Sequence, residues 1–153
     1  MGFTILNVAD LTSKELRPYK KALRLLKKRI CPKLIYGLIK ISFSKEVKRH
    51  CLAIYDDDND SIVLIVDYIR SEHENPFETL IHEVGHRLWY QFLTKKQKAE
   101  VYRLFRECKK KKIEKLLPTT YSKTNTIEFF AENFAACVRR KSIPKAFEHI
   151  IFF

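Results

Sequence analysis

The chain has 153 residues and 46% hydrophobic residues, enough for one folded domain over residues 1–153 with a real core. With only 3 Gly and 5 Pro, the composition excludes long flexible linkers. The 30 Lys and Arg against 18 Asp and Glu give a formal charge of +12, which leaves two interpretations: a solvated basic surface, or an anionic partner such as nucleic acid or a membrane.

The N-terminal segment and the cysteines indicate the compartment. The apolar run at the N-terminus is broken by Asn7 and Asp10 and lacks a basic region, so we expect no secretory signal. No stretch approaches the roughly 18 apolar residues of a transmembrane helix. The four cysteines contain no Cys-x-x-Cys pair, which favours thiols in a reducing cytosol, with two disulfides as the alternative. We therefore expect a cytoplasmic protein. We also expect it to be a monomer.

An amphipathic helix is the first predicted element. Thr12 and Glu15 have capping-box spacing, but Pro18 suits an early helical position and moves the expected start to near Arg17. Pro32 ends the helix. Its basic residues face away from an apolar stripe, which predicts a solvated helix rather than a membrane-bound one. The stripe consists of Leu16, Tyr19, Leu23, Leu26 and Ile30.

Three strands are predicted next, at residues 35–43, 50–55 and 61–68, because these runs are rich in β-branched and aromatic residues. The acidic run at 56–60 has turn composition. The last two strands therefore form a hairpin, and the final one is covered on at least one face.

Helices predominate in the second half of the sequence. Asn75 caps the first of them, Pro76 takes its first position and Glu78 completes a capping box. The next helix begins at Thr94, with Gln97 as its capping partner.

Two more helical segments follow. One covers about 126–140 with a buried stripe, and a short one after Pro144 docks on the core. The stripe of the longer segment is Ile127, Phe130, Ala131, Phe134 and Val138, and the docking residues are Phe147, Ile150 and Ile151. The predicted fold class is α+β, with a small mixed sheet packed on an active-site helix and a helical C-terminal half.

Residues 82–86 read His-Glu-Val-Gly-His. Two imidazoles one helical turn apart can share one metal ion, and Glu83 beside them can reach a metal-bound water. Zinc suits such a site, because it lowers the pKa of its water toward about 7 and a nearby carboxylate accepts the proton. Gly85 costs a helix about 1 kcal/mol relative to Ala, which indicates close packing at that position.

A third ligand is needed beyond His82 and His86. The Gly and His that continue the metzincin pattern are absent. Glu128 and Glu132 are four residues apart on one predicted helix, so one can bind the metal while the other orients a ligand imidazole. A capping box with Asn125 is the alternative role of Glu128, and His149 is the other candidate ligand.

The segment from Tyr121 to residue 135, Tyr-Ser-Lys-Thr-Asn-Thr-Ile-Glu-Phe-Phe-Ala-Glu-Asn-Phe-Ala, resembles the catalytic domain of anthrax lethal factor and the related Pro-Pro endopeptidases. These proteins carry His-Glu-x-x-His on one helix and a Tyr seven residues before a liganding Glu on a later helix. The resemblance covers residues 75–93 and 121–138. It implies a zincin-like fold, Glu128 as the third zinc ligand, Tyr121 as a donor to the oxyanion, and Glu132 as a residue that supports the ligands.

The resemblance therefore implies a zinc metallopeptidase. Glu83 would deprotonate the zinc-bound water that attacks a peptide carbonyl, and would return the proton to the leaving amine. Tyr121 would stabilise the oxyanion. Residues 61–67 would be the edge strand that pairs with the substrate backbone. A toxin role and Pro-Pro specificity do not carry over to this small chain.

The acidic stretch at 56–83 bears on the substrate. It holds nine acidic residues and one basic residue, Arg70, a net charge of −8, which would attract basic peptides if the stretch lines the cleft. A solvated turn is the equal alternative.

Two other functions remain as rivals. One is a nucleic-acid-associated protein whose basic helices at 14–29 and 95–115 contact phosphates, although no base-reading pattern accompanies them. The other is an inactive metal-binding module, against which the presence of Glu83 argues.

Overall fold

The computed structural model describes residues 4–6, 11–30, 40–44, 51–71, 74–111, 117–139 and 147. These residues form an α+β fold, as predicted. They fall into two compact units, Met1–Glu83 and Val84–Phe153, and the boundary runs through one continuous helix. The elements are β1 (Thr4–Leu6), α1 (Ser13–Arg29), β2 (Lys40–Ser44), β3 (Ala53–Asp56), β4 (Ser61–Ile65), α2 (Val66–Ser71), α3 (Pro76–Arg87), a π-helical turn (Leu88–Phe92), α4 (Lys95–Lys111), a 3₁₀ turn (Tyr121–Lys123) and α5 (Thr126–Val138).

The first unit contains a four-stranded mixed sheet in the order β1-β2-β4-β3. β1, β2 and β4 are parallel, and β3 pairs antiparallel with β4. Ile41 of β2 lies opposite Ile62 of β4, and Phe43 lies opposite Leu64; all four side chains are buried. Because alternate residues of a strand share one face, these pairs form a covered apolar face of the sheet.

The predicted β3–β4 hairpin is confirmed, but two expectations for the last strand are wrong. β4 ends at Ile65, and Val66 begins helix α2. The sequence does not reveal this boundary, because the apolar run continues through the buried Val66 and Ile69 without a signal that separates strand from helix. β4 also has neighbours on both sides, so residues 61–67 do not form the edge strand. Among the described strands, β3 is the edge strand beside β4.

Helix α1 begins earlier than expected. Thr12 Oγ1 accepts a hydrogen bond from the Glu15 backbone N–H at 3.3 Å, and Glu15 Oε2 accepts one from the Thr12 N–H at 2.8 Å. This complete capping box satisfies the N-terminal donors, so the helix starts at Ser13 and encloses Pro18. The predicted apolar stripe is buried from Tyr19 onward and includes a ring contact of 5.2 Å between Tyr19 and Phe43.

The second unit has an aromatic core around α5. Phe129 is fully buried and its ring lies 5.3 Å from those of Phe105 and Phe147. The predicted stripe missed Phe129, because α5 is covered on more than one side and a single stripe underestimates its burial. The docking of Phe147 is confirmed, whereas Ile150 and Ile151 lie outside the described residues.

Helix α4 starts where its cap predicts. Thr94 Oγ1 accepts from the Gln97 N–H at 3.2 Å, and Gln97 Oε1 accepts from the Thr94 N–H at 2.9 Å. Cys108 is buried on this helix, and the burial, together with the nearby Glu107 carboxylate, raises the pKa of its thiol. Such a thiol is poorly reactive, in keeping with the expected buried thiols.

No helix in the described ranges has the length and apolarity that crossing a membrane requires.

Candidate metal centre

Helix α3 carries the first two candidate ligands. Asn75 Oδ1 accepts from the Phe77 N–H at 3.0 Å, which fixes the helix start at Pro76 as predicted. One side of the helix is buried through Phe77, Leu80, Ile81, Val84 and Leu88. His82 and His86 lie off that apolar stripe and keep partial exposure. The helix therefore presents both imidazoles where an ion can reach them.

The α-helical geometry of α3 ends at Arg87. After Arg87 the chain widens into the π-helical turn, in which the Leu93 N–H donates to the Leu88 carbonyl at 3.0 Å. Trp89 in this turn packs its ring 5.8 Å from Phe130 of α5. The turn thus fixes the segment that follows His86 against the helix that carries Glu128. Single π-helical turns are frequent at functional sites.

Helix α5 carries the third candidate ligand. Asn125 Oδ1 accepts from the backbone N–H groups of Ile127 and Glu128, both at 2.9 Å, so the Asn125 side chain caps the helix. Oε2 of Glu128 is buried and lies 3.4 Å from Nε2 of His86. The role of Asn125 as a cap is therefore compatible with a second role for the Glu128 carboxylate.

His82, His86 and Glu128 form a cluster in which the candidate ligand atoms all lie within 4.8 Å of one another. Two atoms bound to zinc at about 2.05 Å in tetrahedral geometry lie about 3.3 Å apart. The 3.4 Å between His86 and Glu128 matches this separation. Two imidazoles and one carboxylate are also a donor set that catalytic zinc uses, with the fourth position left for water or substrate. The residues present therefore fit a zinc ion.

Three further residues were predicted to belong to the site. Glu83 follows His82 on α3 and is only 6% exposed. Glu132 lies one turn after Glu128 on α5 and is half-buried. Neither belongs to the cluster of three. The alternative ligand His149 lies outside the described residues.

Tyr121 lies on the 3₁₀ turn that leads into α5 and is 54% exposed. Ser122, which is fully buried, holds this turn: its N–H donates to Thr119 Oγ1 at 3.1 Å and its hydroxyl donates to the Thr119 carbonyl. The turn thus leaves the tyrosine side chain exposed, while hydrogen bonds hold the backbone of the turn.

Sequence reasoning missed one charged residue next to the ligands. Arg87 is only 3% exposed, and its guanidinium lies 5.0 Å from the centre of the Phe92 ring. A buried arginine stacked on an aromatic ring is a favourable cation–π contact. The signal for this burial in the sequence is the position of Arg87 directly after His86, on a helix with a wide apolar stripe. Such a helix also buries some of the polar residues that neighbour the stripe.

A comparison with protein families gives a match over residues 21–147, to the family described as Anthrax toxin lethal factor, N- and C-terminal domain. No curated protein and no solved structure matches the chain.

Proposed function

Since the chain belongs to the anthrax toxin lethal factor family, we propose that it is a zinc-dependent endopeptidase, folded as a single zincin-like domain. The observation that carries the proposal is the cluster of His82, His86 and Glu128, whose donor types and spacing suit one zinc ion. The family match supports it, because the matched residues include both helices that supply the ligands.

The chain's own residues supply the acid–base chemistry. His82, His86 and Glu128 would hold the metal, which when bound provides a Lewis acid that lowers the pKa of a water toward about 7. Glu83 accepts a proton from the attacking water and later returns it to the leaving amine. Its burial shields this proton transfer from bulk solvent.

Tyr121 is assigned to the stabilisation of the oxyanion. Its hydroxyl donates a hydrogen bond to the carbonyl oxygen as negative charge develops there. The exposure of the ring leaves it accessible to a substrate, and the fixed backbone of its turn limits the entropy lost when the substrate binds. We propose that Glu132 orients a ligand imidazole.

Strand β3 is the proposed partner of the substrate backbone, in place of residues 61–67. It is an edge strand of the sheet, and extended peptides add to such edges by backbone hydrogen bonds. β3 ends at Asp56, where the acidic turn begins, and the hydrogen bond from the Asn59 side chain lowers the pKa of the Asp56 carboxyl. A peptide paired along β3 would meet this negative charge, so we propose a preference for basic peptides.

The Glu83→Gln variant tests the mechanism. We expect it to bind zinc like the wild type and to cleave a peptide library about 10²–10⁴-fold more slowly, because glutamine cannot accept the proton. Glu107→Gln, a change on α4, is the matched control and should cleave normally. The readouts are bound zinc per chain and initial rates on the library. Unchanged cleavage by Glu83→Gln would refute the mechanism.

Peptide libraries of two compositions test the substrate preference. Lys/Arg-rich peptides should be cleaved faster than Asp/Glu-rich peptides at low salt, and the difference should shrink as salt screens the charge. Equal rates at low salt would contradict the basic preference without affecting the assignment of Glu83.

A nucleic-acid-associated function is the second candidate, and one observation favours it. The basic residues of α1 are exposed along the helix, including Lys14, Arg17, Lys20, Lys21 and Arg24. Phosphate binding by such a face would fall steeply with salt. A salt-titrated duplex-binding assay with the zinc-loaded protein distinguishes the two functions, since the peptidase proposal requires no such binding.

A further inference from the structure

Gly85 of helix α3 lies directly against Ala131 of helix α5. A Cβ atom added to Gly85 would lie 2.8 Å from the Ala131 Cα, 3.1 Å from its Cβ and 3.3 Å from its carbonyl oxygen. Carbon atoms in contact need roughly 3.5 Å. The sequence indicated close packing at Gly85, and the structure identifies Ala131 as the neighbour.

This contact lies close in sequence to two of the three candidate ligands, His86 and Glu128. Gly85 immediately precedes His86, and Ala131 is three residues, nearly one helical turn, after Glu128. Each contact residue is thus joined to its ligand by a short stretch of rigid helix. A change in the distance between the two backbones at the contact would therefore shift the two ligands relative to each other.

We propose that Gly85 and Ala131 are positioning residues, and that their contact sets the separation of His86 and Glu128 at the value one zinc ion requires. The inference rests on the proposed function, in that it takes zinc as the ligand of the cluster. The observed 3.4 Å between His86 Nε2 and Glu128 Oε2 is the separation that the contact would maintain.

The tolerance of a metal site makes the contact consequential. The nearest obstacle to a Cβ on Gly85 is the backbone Cα of Ala131, which no rotamer change can move. The helices would have to separate by roughly half an ångström or more to admit the added carbon. Metal–ligand distances tolerate only about ±0.2 Å. Alanine at position 85 would therefore spoil the ligand geometry without touching a ligand.

The sign of the effect separates this role from that of a glycine with no role, which the helix merely tolerates. Alanine is the better helix former. If the helix merely tolerated Gly85, the Gly85→Ala variant would therefore have equal or higher stability and normal zinc affinity. The positioning role instead predicts weaker zinc binding, even where the metal-free protein keeps its helical content.

The experiment compares zinc affinity, measured by chelator competition, for wild type and Gly85→Ala, with circular dichroism and the melting temperature of the metal-free proteins measured in parallel. We expect Gly85→Ala to bind zinc about 10–100-fold more weakly, the range found when residues behind metal ligands are changed. Adding Ala131→Gly to this variant removes the Cβ at 3.1 Å and should recover part of the affinity.

The matched control is Gly85→Ala combined with Ala135→Gly, which places the same substitution one turn further along α5 and should recover nothing. Wild-type zinc affinity in Gly85→Ala would overturn the positioning role. If Gly85→Ala loses its helical signal, Ala131→Ser decides, since it enlarges the same contact from the other helix, and normal affinity there would overturn the role as well. Failure of the wild type to bind zinc would instead refute the proposed function.

Discussion

The turn between β3 and β4 and the start of α5 each contain an acid and an asparagine three residues apart. In the turn, the Asp56 carboxylate accepts from the Asn59 backbone N–H at 3.2 Å and from its side chain at 2.7 Å. At α5 the roles are exchanged: Asn125 accepts from the Glu128 backbone N–H, and the Glu128 carboxylate lies 3.4 Å from His86.

The difference shows how a carboxylate becomes available for chemistry. Where the acid caps its own turn, its oxygens are used within a few residues and stabilise local structure. Where the asparagine caps, the acid can reach a residue on another helix. Both regions pair an acid with an asparagine, and at α5 the capping by Asn125 leaves the Glu128 carboxylate available to a metal ion.

The comparison predicts its largest effect for Glu128→Ala. Structural zinc sites with four ligands bind with about 10–16 kcal/mol, so one ligand contributes about 3 kcal/mol, or roughly a hundredfold in affinity. Chelator competition should show this loss, and peptide cleavage should be lost with it. Asp56→Ala is the matched control and should bind zinc normally. Normal zinc affinity in Glu128→Ala would show that the ligand assignment is wrong.

A smaller effect is expected for Tyr121→Phe. The change removes one hydroxyl that donates to the oxyanion, which costs kcat roughly tenfold to a hundredfold at an exposed position. Zinc per chain and KM should remain close to wild type, because the ring and its turn are kept. Steady-state kinetics on one library-derived peptide measures both constants. A raised KM with normal kcat would assign Tyr121 to substrate binding instead.

The smallest effect concerns the turn and depends on pH. The Asn59 side chain lowers the pKa of Asp56 below its ordinary value of 3.8, so the folded state binds this proton less readily than the unfolded state. The resulting stabilisation is complete above pH 3.8 and is lost as the pH falls through the lower folded-state pKa. Asp56→Asn should therefore lower the melting temperature slightly at neutral pH and not in acid. A difference independent of pH would contradict this account of the turn.

Local features of the fold were predictable from sequence. The caps at Thr12, Asn75, Thr94 and Asn125 depend on residues within three positions, and each of these side chains accepts a backbone N–H at the start of its helix. The relation of His82 to His86 is equally local, because one helical turn fixes it. The sequence predicts too late a start for α1, because Pro18 suits an early helical position and so competes with the capping-box signal at Thr12.

Nonlocal features were not predictable from the residues alone. The place of β4 inside the sheet depends on pairing with β2 and β3, and no pattern within the strand itself encodes its neighbours. The partner of Gly85 was likewise open until the structure identified Ala131. The approach of Glu128 to His86 followed only from the family resemblance, because the two residues lie on separate helices.

Anomalous diffraction at the zinc absorption edge from crystals of the zinc-loaded protein tests the central claim most directly. The account predicts one strong peak bonded to one nitrogen each of His82 and His86 and one oxygen of Glu128, at about 2.0–2.2 Å. A peak held by other residues, or two imidazoles bound to zinc with the Glu128 carboxylate turned away, would contradict it.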